Sequence, residues 1–271
     1  VASNNTAVGD SALYANTTAA DNTAVGYASL QDNTTGTRNV ALGKNALANN
    51  TTAANSQAIG YNALVTNTTG CQNTAIGSSA MQANTTGVNN ISIGISSLYS
   101  NTEGNSNVAI GCGAAFSNTT ANGNTAVGFR TMQLNTTGAF NTALGYNALC
   151  SNTTATDNTA VGAYALDNNT TGTHNTAVGD QALGANTTGC NNAAVGSGSL
   201  DANTTGECNV AFGKASLTVN TTGDNNTAMG ACALVYNTTA SNNTAVGFKS
   251  LFCNTTGCQN VAVGTCSLNA N

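Results

Sequence analysis

The whole chain is built from one unit of 17 residues that recurs sixteen times. Residues 22–38, NTAVGYASLQDNTTGTR, are followed by NVALGKNALANNTTAAN, and the same pattern continues to the last residue. A fixed period of this kind indicates that each repeat is one structural unit and that neighbouring repeats stack on each other. We therefore expect a single repeat array over residues 1–271 and not separate globular domains.

Aligning the repeats turns the chain into columns of residues 17 positions apart, and each column is named after its member in residues 22–38. The Gly26 column is glycine in every repeat, and the Asn33 and Thr34 columns never change. The Asn22 column departs from asparagine only once, and the Val25 column contains only large apolar residues. Six columns take nearly any residue, so we expect them to face solvent or a tolerant partner; they are those of Tyr27, Ala28, Gln31, Asp32, Thr37 and Arg38.

Seventeen residues are too few for the helix pairs of common helical repeats, and the density of Gly and Asn disfavours helix. A parallel β-solenoid fits better, with a short strand at residues 23–25, a turn at Gly26, a second strand at residues 29–31 and an Asn-Thr-Thr-Gly loop. Glycine supplies backbone conformations closed to other residues, and asparagine tolerates left-handed turns while its amide bonds to the same asparagine one coil away. The sequence thus predicts an all-β parallel β-solenoid, or β-roll, of sixteen coils.

The alternation of side chains along a strand leaves two arrangements open. Ala24 points to one face of the strand, while Thr23 and Val25 point to the other. If Val25 lies inside, each chain is a self-sufficient solenoid. If Ala24 lies inside, an apolar stripe runs down the outside and needs a partner to cover it.

The columns resemble the repeats of trimeric autotransporter adhesin heads and, more closely, the NTAVG-repeat arrays of bacterial and phage tail-fibre-like proteins. The matching residues are Asn22, Ala24, Val25 and Gly26, then Asn73, Ala75, Ile76 and Gly77, and the NTALGYNAL run at 141–149. The resemblance covers the whole chain and implies a left-handed parallel β-roll, with the alanine inside and the Val/Ile column facing the threefold axis of a homotrimer. The repeat differs from that of the adhesin heads by an extra Asn-Thr-Thr loop.

Composition excludes several classes of partner. Charged residues make up 6% of the chain, with five basic residues against ten acidic ones. These charges are scattered, so the chain offers no footprint for nucleic acid or an anionic membrane, and no apolar run is long enough to span a bilayer. No atypical capping repeat occurs at either end, and we expect an uncapped segment of a longer fibre or polymer that associates end to end.

Nearly every loop carries Asn-Thr-Thr, an acceptor sequence for N-linked glycan. The candidate sites are Asn16, Asn33, Asn50, Asn67, Asn84, Asn118, Asn135, Asn152, Asn169, Asn186, Asn203, Asn220, Asn237 and Asn254. The alternative is a structural ladder of turn asparagines. The Thr34 column is stricter than the Thr35 column, although glycosylation constrains only the second, and this favours the structural ladder.

Nine of the thirteen aromatic residues lie in two columns, those of Tyr27 and Gln31. They are Tyr27, Tyr61, Phe129, Tyr146 and Phe248 in the first, and Tyr14, Tyr99, Phe116 and Phe252 in the second. Exposed aromatic rings beside small residues could form a glycan-binding or packing surface, whereas β-propensity at tolerant positions is the plainer explanation. An ice-binding threonine face is a weaker hypothesis, because Thr34 and Thr35 are loop neighbours and not alternating strand positions.

Nine cysteines are many for a cytosolic protein and suit an oxidising exterior. Two pairs are candidates for disulfides: Cys190 with Cys208, one coil apart, and Cys253 with Cys258, which bracket one loop. No metal-binding spacing and no phosphate-binding glycine loop is present, so we expect no metal, no cofactor and no enzymatic activity. The one histidine, His174, stands in a variable column and is read as a surface residue.

These features predict a structural fibre or shaft protein at the outside of a cell or virion, with a repetitive surface and self-association end to end or as a homotrimer. The alternative is an adhesin head that binds surface glycans through the variable columns. Both functions leave the source, the ligand and the number of chains open.

Overall fold

Every regular element of the chain is a short β-strand in a computed structural model that describes residues 2–269. The chain divides into two compact units, Val1–Thr137 and Gly138–Asn271. The last member of the Asn33 column, Asn271, lies outside the described residues.

Each unit contributes eight strands of three residues. The first unit contains β1 Thr6–Val8, β2 Thr23–Val25, β3 Val40–Leu42, β4 Gln57–Ile59, β5 Thr74–Ile76, β6 Ile91–Ile93, β7 Val108–Ile110 and β8 Thr125–Val127. The second contains β9 Thr142–Leu144, β10 Thr159–Val161, β11 Thr176–Val178, β12 Ala193–Val195, β13 Val210–Phe212, β14 Thr227–Met229, β15 Thr244–Val246 and β16 Val261–Val263. Each strand is named below together with the coil that it begins.

Within each unit, consecutive strands pair in parallel and in register, so every residue lies beside the residue 17 positions away. Ala24 is opposite Ala41 in the first unit, and Ala160 is opposite Ala177 in the second. Parallel strands in this order require the chain to make one full coil between them. Each unit is therefore a parallel β-solenoid, and the predicted fold class and 17-residue period are confirmed.

The second strand predicted at residues 29–31 is wrong. This segment and the adjoining Ala28 do form hydrogen bonds between coils. The Leu30 amide donates to the Ala46 carbonyl at 3.0 Å, and the Ala28 amide donates to the Asp10 carbonyl at 3.0 Å. However, Ala28 has φ +53° and Leu30 has φ +48°, which is the left-handed region and not the extended one. The segment is a turn that keeps inter-coil hydrogen bonds.

In the Leu30 column, burial of the side chain offsets the free-energy cost of the left-handed backbone. Residues of this column have φ between +45° and +54° in every coil, a conformation that costs about 1–2 kcal/mol for a side chain with a Cβ. Leu30 is nevertheless fully buried, and burying a leucine contributes about 1.5–3 kcal/mol. The Ala24 and Ser29 columns are buried beside it, so the core is a thin column built one rung at a time.

Glycine is required wherever the strand meets the turn. The sixteen residues of the Gly26 column have φ between +122° and +141°. A Cβ at Gly26 would also lie 2.7 Å from the carbonyl carbon and oxygen of Gly43 in the next coil. Neither atom can move without breaking the ladder, which explains why this column never varies.

The Asn22 column closes each coil. Asn39 donates from Nδ2 to the Ala53 carbonyl at 2.8 Å, and its backbone amide donates to Oδ1 of Asn22 at 2.9 Å. A side chain of this column therefore joins the start of its own coil to the loop of that coil and accepts a hydrogen bond from the next coil. Because these atoms are buried, a residue without an amide loses hydrogen bonds that water does not replace.

Ser56, the only departure in the Asn22 column, tests this role. Its hydroxyl accepts a hydrogen bond from the Asn73 backbone amide at 3.3 Å but is too short to reach the Gly70 carbonyl. That carbonyl accepts from Nδ2 of Asn67 at 3.0 Å and, in place of residue 56, from Nδ2 of Asn73 at 3.2 Å. We expect Ser56→Asn to stabilise the chain by about 1 kcal/mol, because it restores one buried hydrogen bond. The measurement is the midpoint of denaturant unfolding. The converse variant Asn107→Ser should lower that midpoint, and an unchanged midpoint for both would contradict the role.

The two threonine columns of the loop differ in exposure and in side-chain hydrogen bonding, as their different variability predicts. The Thr34 hydroxyl donates to the Thr51 carbonyl at 3.0 Å, and this bond recurs along the column. Thr35 is exposed. The stricter column is therefore the one whose side chains join successive coils.

Candidate interaction surfaces

The strand face of each unit is an exposed apolar stripe. Ala24 is fully buried, so Thr23 and Val25 point outward, which decides between the two arrangements left open by the sequence. In the first unit Leu42 is 46% exposed, and in the second Phe212 is 53% exposed. No charged residue occurs in the Thr23 or Val25 column. We call the outward side chains of these two columns the strand face.

The other distinctive surface lies over the turn and is formed by the columns of Tyr27, Ala28, Gln31 and Asp32. We call it the turn face. All nine predicted surface aromatics belong to it. Tyr14, Tyr27, Tyr61, Phe129, Tyr146 and Phe248 are exposed, and Tyr99, Phe116 and Phe252 are half-buried. Tyr99 and Phe116 stack with ring centroids 4.9 Å apart, so some of these rings pack on each other between coils.

Cations lie over several of these rings. Nζ of Lys44 is 5.7 Å from the Tyr27 ring centroid in the first unit. In the second unit, Nζ of Lys249 is 5.4 Å from the Phe248 centroid and 5.1 Å from that of Phe252. Such contacts stabilise a charged side chain at a surface and combine an aromatic platform with a positive charge.

The turn face of the second unit also contains a cavity of about 300 Å³. Its lining residues are Tyr164, Asp167, Asn168, Gln181, Gly184, Ala185 and Asp201. Gly184 stands between Asp167 and Asp201 in the Gln31 column, and the missing side chain opens the cavity. This cavity was not predicted from the sequence, although a glycine between two aspartates in one column was a usable signal.

The aspartates of this cavity lie in an unfavourable setting for negative charge. Burial raises the pKa of the Asp167 carboxyl. Burial also raises the pKa of Asp201, and the negative charge of Asp180 raises it further. Of the described residues, none forms a salt bridge with any of these three carboxylates.

A pH dependence of stability follows from these shifts. An acid whose pKa is raised on folding binds protons more tightly in the folded chain, so its contribution to stability increases as pH falls through the folded pKa. We expect Asp201→Asn to raise the thermal midpoint at neutral pH. The gain should shrink and vanish well below the ordinary aspartate pKa of about 3.9. Asp32→Asn, which removes an exposed carboxyl, is the control, and a gain that does not depend on pH would contradict the prediction.

The Asn33 column is buried, which argues against glycosylation at the predicted sites. Every member from Asn33 to Asn254 is fully buried, and Asn16 is half-buried. Nδ2 of Asn50, the atom that would carry a glycan, donates to Oδ1 of Asn33 at 2.8 Å and to the Ala53 carbonyl at 3.1 Å. A glycan on this atom is incompatible with the folded coil. The contacts match the structural ladder of turn asparagines.

Cys190, Cys208, Cys253 and Cys258 form no disulfide, so neither predicted pair is bridged in this structure. Cys190 and Cys208 occupy adjacent columns, and the Cys208 amide donates to the Cys190 carbonyl at 3.1 Å. Cys253 and Cys258 are both exposed at the two ends of one loop. Cys190 and Cys208 lie in neighbouring coils, and Cys253 and Cys258 flank one loop. In neither pair do the two residues belong to the same column, where the side chains of successive coils stack directly.

His174 is 60% exposed and lies 3.7 Å from Asp157 of the preceding coil. The residues that the structure describes contain no group of three or more His, Cys, Asp or Glu side chains that could hold a metal ion. Within residues 2–269, no helix is long and apolar enough to cross a lipid bilayer. No protein-family model matches this chain, and no curated protein matches it either.

Proposed function

We propose that this chain is a structural segment of an extracellular fibre or shaft whose strand face packs against other copies of the same chain. The observation that carries the proposal is the strand face itself. It combines an uninterrupted column of large apolar side chains with a complete absence of charge in both units. Exposed apolar stripes of this kind mark surfaces for association in soluble proteins.

The arrangement of the coil supports a mechanical function. Parallel backbone pairing, a buried asparagine ladder and a half-buried threonine ladder run from each coil to the next within a unit. This repetition puts the same bonds into every rung, so stability against unfolding accumulates along the stack. A homotrimer, which the adhesin-like resemblance implies, would cover the strand face.

The test is the mass of the assembly in solution, measured by light scattering after size-exclusion chromatography. A single chain has a mass of 26.7 kDa, and we expect a multiple of that mass for the parent chain, three-fold for a homotrimer. Phe212→Lys combined with Met229→Lys should shift the mass towards that of one chain, because it places charge in the stripe. Phe140→Lys, at an exposed aromatic outside the strand face, should have no effect. A parent chain that stays monomeric would contradict the proposal.

A second candidate function, a glycan-binding adhesin head, is favoured by the aromatic rings of the turn face. Tyr27 and Tyr61 are about half exposed, with Lys44 between them in the same column. Flat rings of this kind stack on sugar faces. Binding to a glycan array by the parent chain and its loss in Tyr27→Ala with Tyr61→Ala would support it. Equal signals from parent and variant would exclude these rings as the site.

A further inference from the structure

The turn face of the second unit has its charges sorted by sign along the coils. Asp167, Asp180 and Asp201 lie in the β10, β11 and β12 coils. Lys214 and Lys249, the two Lys or Arg residues of this unit, lie in the β13 and β15 coils. No salt bridge joins either lysine to a described residue. One half of this face is therefore acidic and the other half is basic.

These residues share one continuous surface. Asp180 acts on Asp201 through its charge, and Tyr146 and Tyr164 form an edge contact with centroids 5.3 Å apart. In the basic half, the rings of Tyr236 and Phe252 meet at 5.1 Å, and Lys249 lies over Phe252. These residues come from the four turn-face columns. The side chains of both halves are thus available to the same partner.

The spacing of the acidic groups matches that of the basic groups. Asp167 and Asp201 are two coils apart, and Lys214 and Lys249 are also two coils apart. Two coils correspond to roughly 10 Å along the stack. A second copy running in the opposite direction, with its twofold axis between the β12 and β13 coils, would set the coil of Asp201 against that of Lys214 and the coil of Asp167 against that of Lys249 at the same time.

The same twofold axis also sets a tyrosine of the other copy opposite the cavity. The axis sets the β11 coil against the β14 coil of the other copy. The β11 coil holds the gap over Gly184, and the β14 coil carries Tyr236, whose side chain is 48% exposed. A tyrosine combines a ring that fills an apolar gap with a hydroxyl that can donate to a carboxylate, and such residues often carry much of an interface's binding energy.

We propose that the second unit pairs with the second unit of another copy, antiparallel, through the turn face. The interface is isologous: the acidic half of each copy meets the basic half of the other, and Tyr236 of each enters the cavity over Gly184 of the other. A parallel in-register pair would set Asp167, Asp180 and Asp201 against themselves, which electrostatic repulsion opposes. This association uses a different surface from the strand face and does not depend on the proposed function.

Sedimentation equilibrium of four full-length samples tests the pairing: the parent, Lys214→Glu with Lys249→Glu, Asp167→Lys with Asp201→Lys, and an equimolar mixture of the two variants. We expect each variant alone to associate at least about tenfold more weakly than the parent, since like charges then face each other. The mixture should recover association, because each lysine-bearing face again meets a carboxylate-bearing one. High salt should weaken the pairing in the parent and in the mixture.

Circular dichroism serves to check that each variant is folded. Asp167→Asn with Asp201→Asn repeats the test without bulkier side chains. Asp157→Lys with Glu207→Lys makes the same change of net charge outside the turn face and should leave association unchanged. Association that is unaffected by the charge reversals, or a mixture that stays as weak as its components, would overturn the pairing. Either result would leave association through the strand face intact, because that face contains none of these residues.

Discussion

Replacing Gly196 by alanine should destabilise the second unit by at least about 3 kcal/mol, the largest effect that we expect from any single added methyl group. Gly196 has φ +130°, which side chains with a Cβ rarely adopt. The new Cβ would lie 2.6 Å from the carbonyl carbon of Gly213 and 2.9 Å from the Lys214 amide nitrogen. Both are backbone atoms of the next coil, so relief requires the two coils to separate. The thermal midpoint measured by circular dichroism reports the change.

Gly198, two residues further along, is the matched control. It also has positive φ, at +64°, but a Cβ there meets no atom within 4 Å. Alanine already occupies the same column at Ala28 and Ala215. We expect Gly198→Ala to change stability by no more than about 1 kcal/mol. Equal effects of the two substitutions would show that close packing between coils does not restrict the Gly26 column.

Replacing Asn186 by alanine should cost about 2–5 kcal/mol. Nδ2 of Asn186 donates to Oδ1 of Asn169 at 2.8 Å, and its Oδ1 accepts from Nδ2 of Asn203 at 2.8 Å. The substitution leaves Oδ1 of Asn169 and one of the two N–H groups of Asn203 Nδ2 without a partner, although the other N–H keeps its bond to the Gly206 carbonyl. Each such group costs its own desolvation penalty, and neither lies where water can reach it. Unfolding by denaturant, followed by circular dichroism, measures the loss.

Thr188→Ala separates this structural role from glycosylation. It destroys the same Asn-Thr-Thr acceptor sequence but removes only an exposed hydroxyl, so stability should change by less than about 0.5 kcal/mol. We expect the parent chain, secreted by a host that attaches N-linked glycans, to keep its unmodified mass in mass spectrometry. A mass increment that both Asn186→Ala and Thr188→Ala reduce equally would show instead that Asn186 carries a glycan.

The repeat alone was enough to predict the parallel solenoid. A chain with one short period along its whole length can make the same contacts in every repeat by stacking identical coils. The structural roles predicted for the strictest columns were also correct. Gly26 needs a backbone conformation closed to other residues, and Asn33 forms a ladder with its copies in neighbouring coils. In both cases the partner of a residue is its own equivalent 17 positions away, so the sequence names both members of the contact.

The sequence could not decide which side of the strand faces inward, because alternation separates Ala24 from Val25 without saying which is buried. It also predicted a second strand at Leu30, since a leucine between small residues fits a strand as well as a left-handed turn. That choice depends on backbone φ, which the packing of the whole coil sets.

The sequence by itself determined the period, the parallel order of the strands and the identity of the turn and ladder residues. Only the tertiary structure decided the exposure of the Val25 column, the burial of the asparagine side chains and the cavity over Gly184. The physical reason is that local pattern sets which residues stack, whereas the direction in which each stack points depends on how the complete coil closes around its thin core.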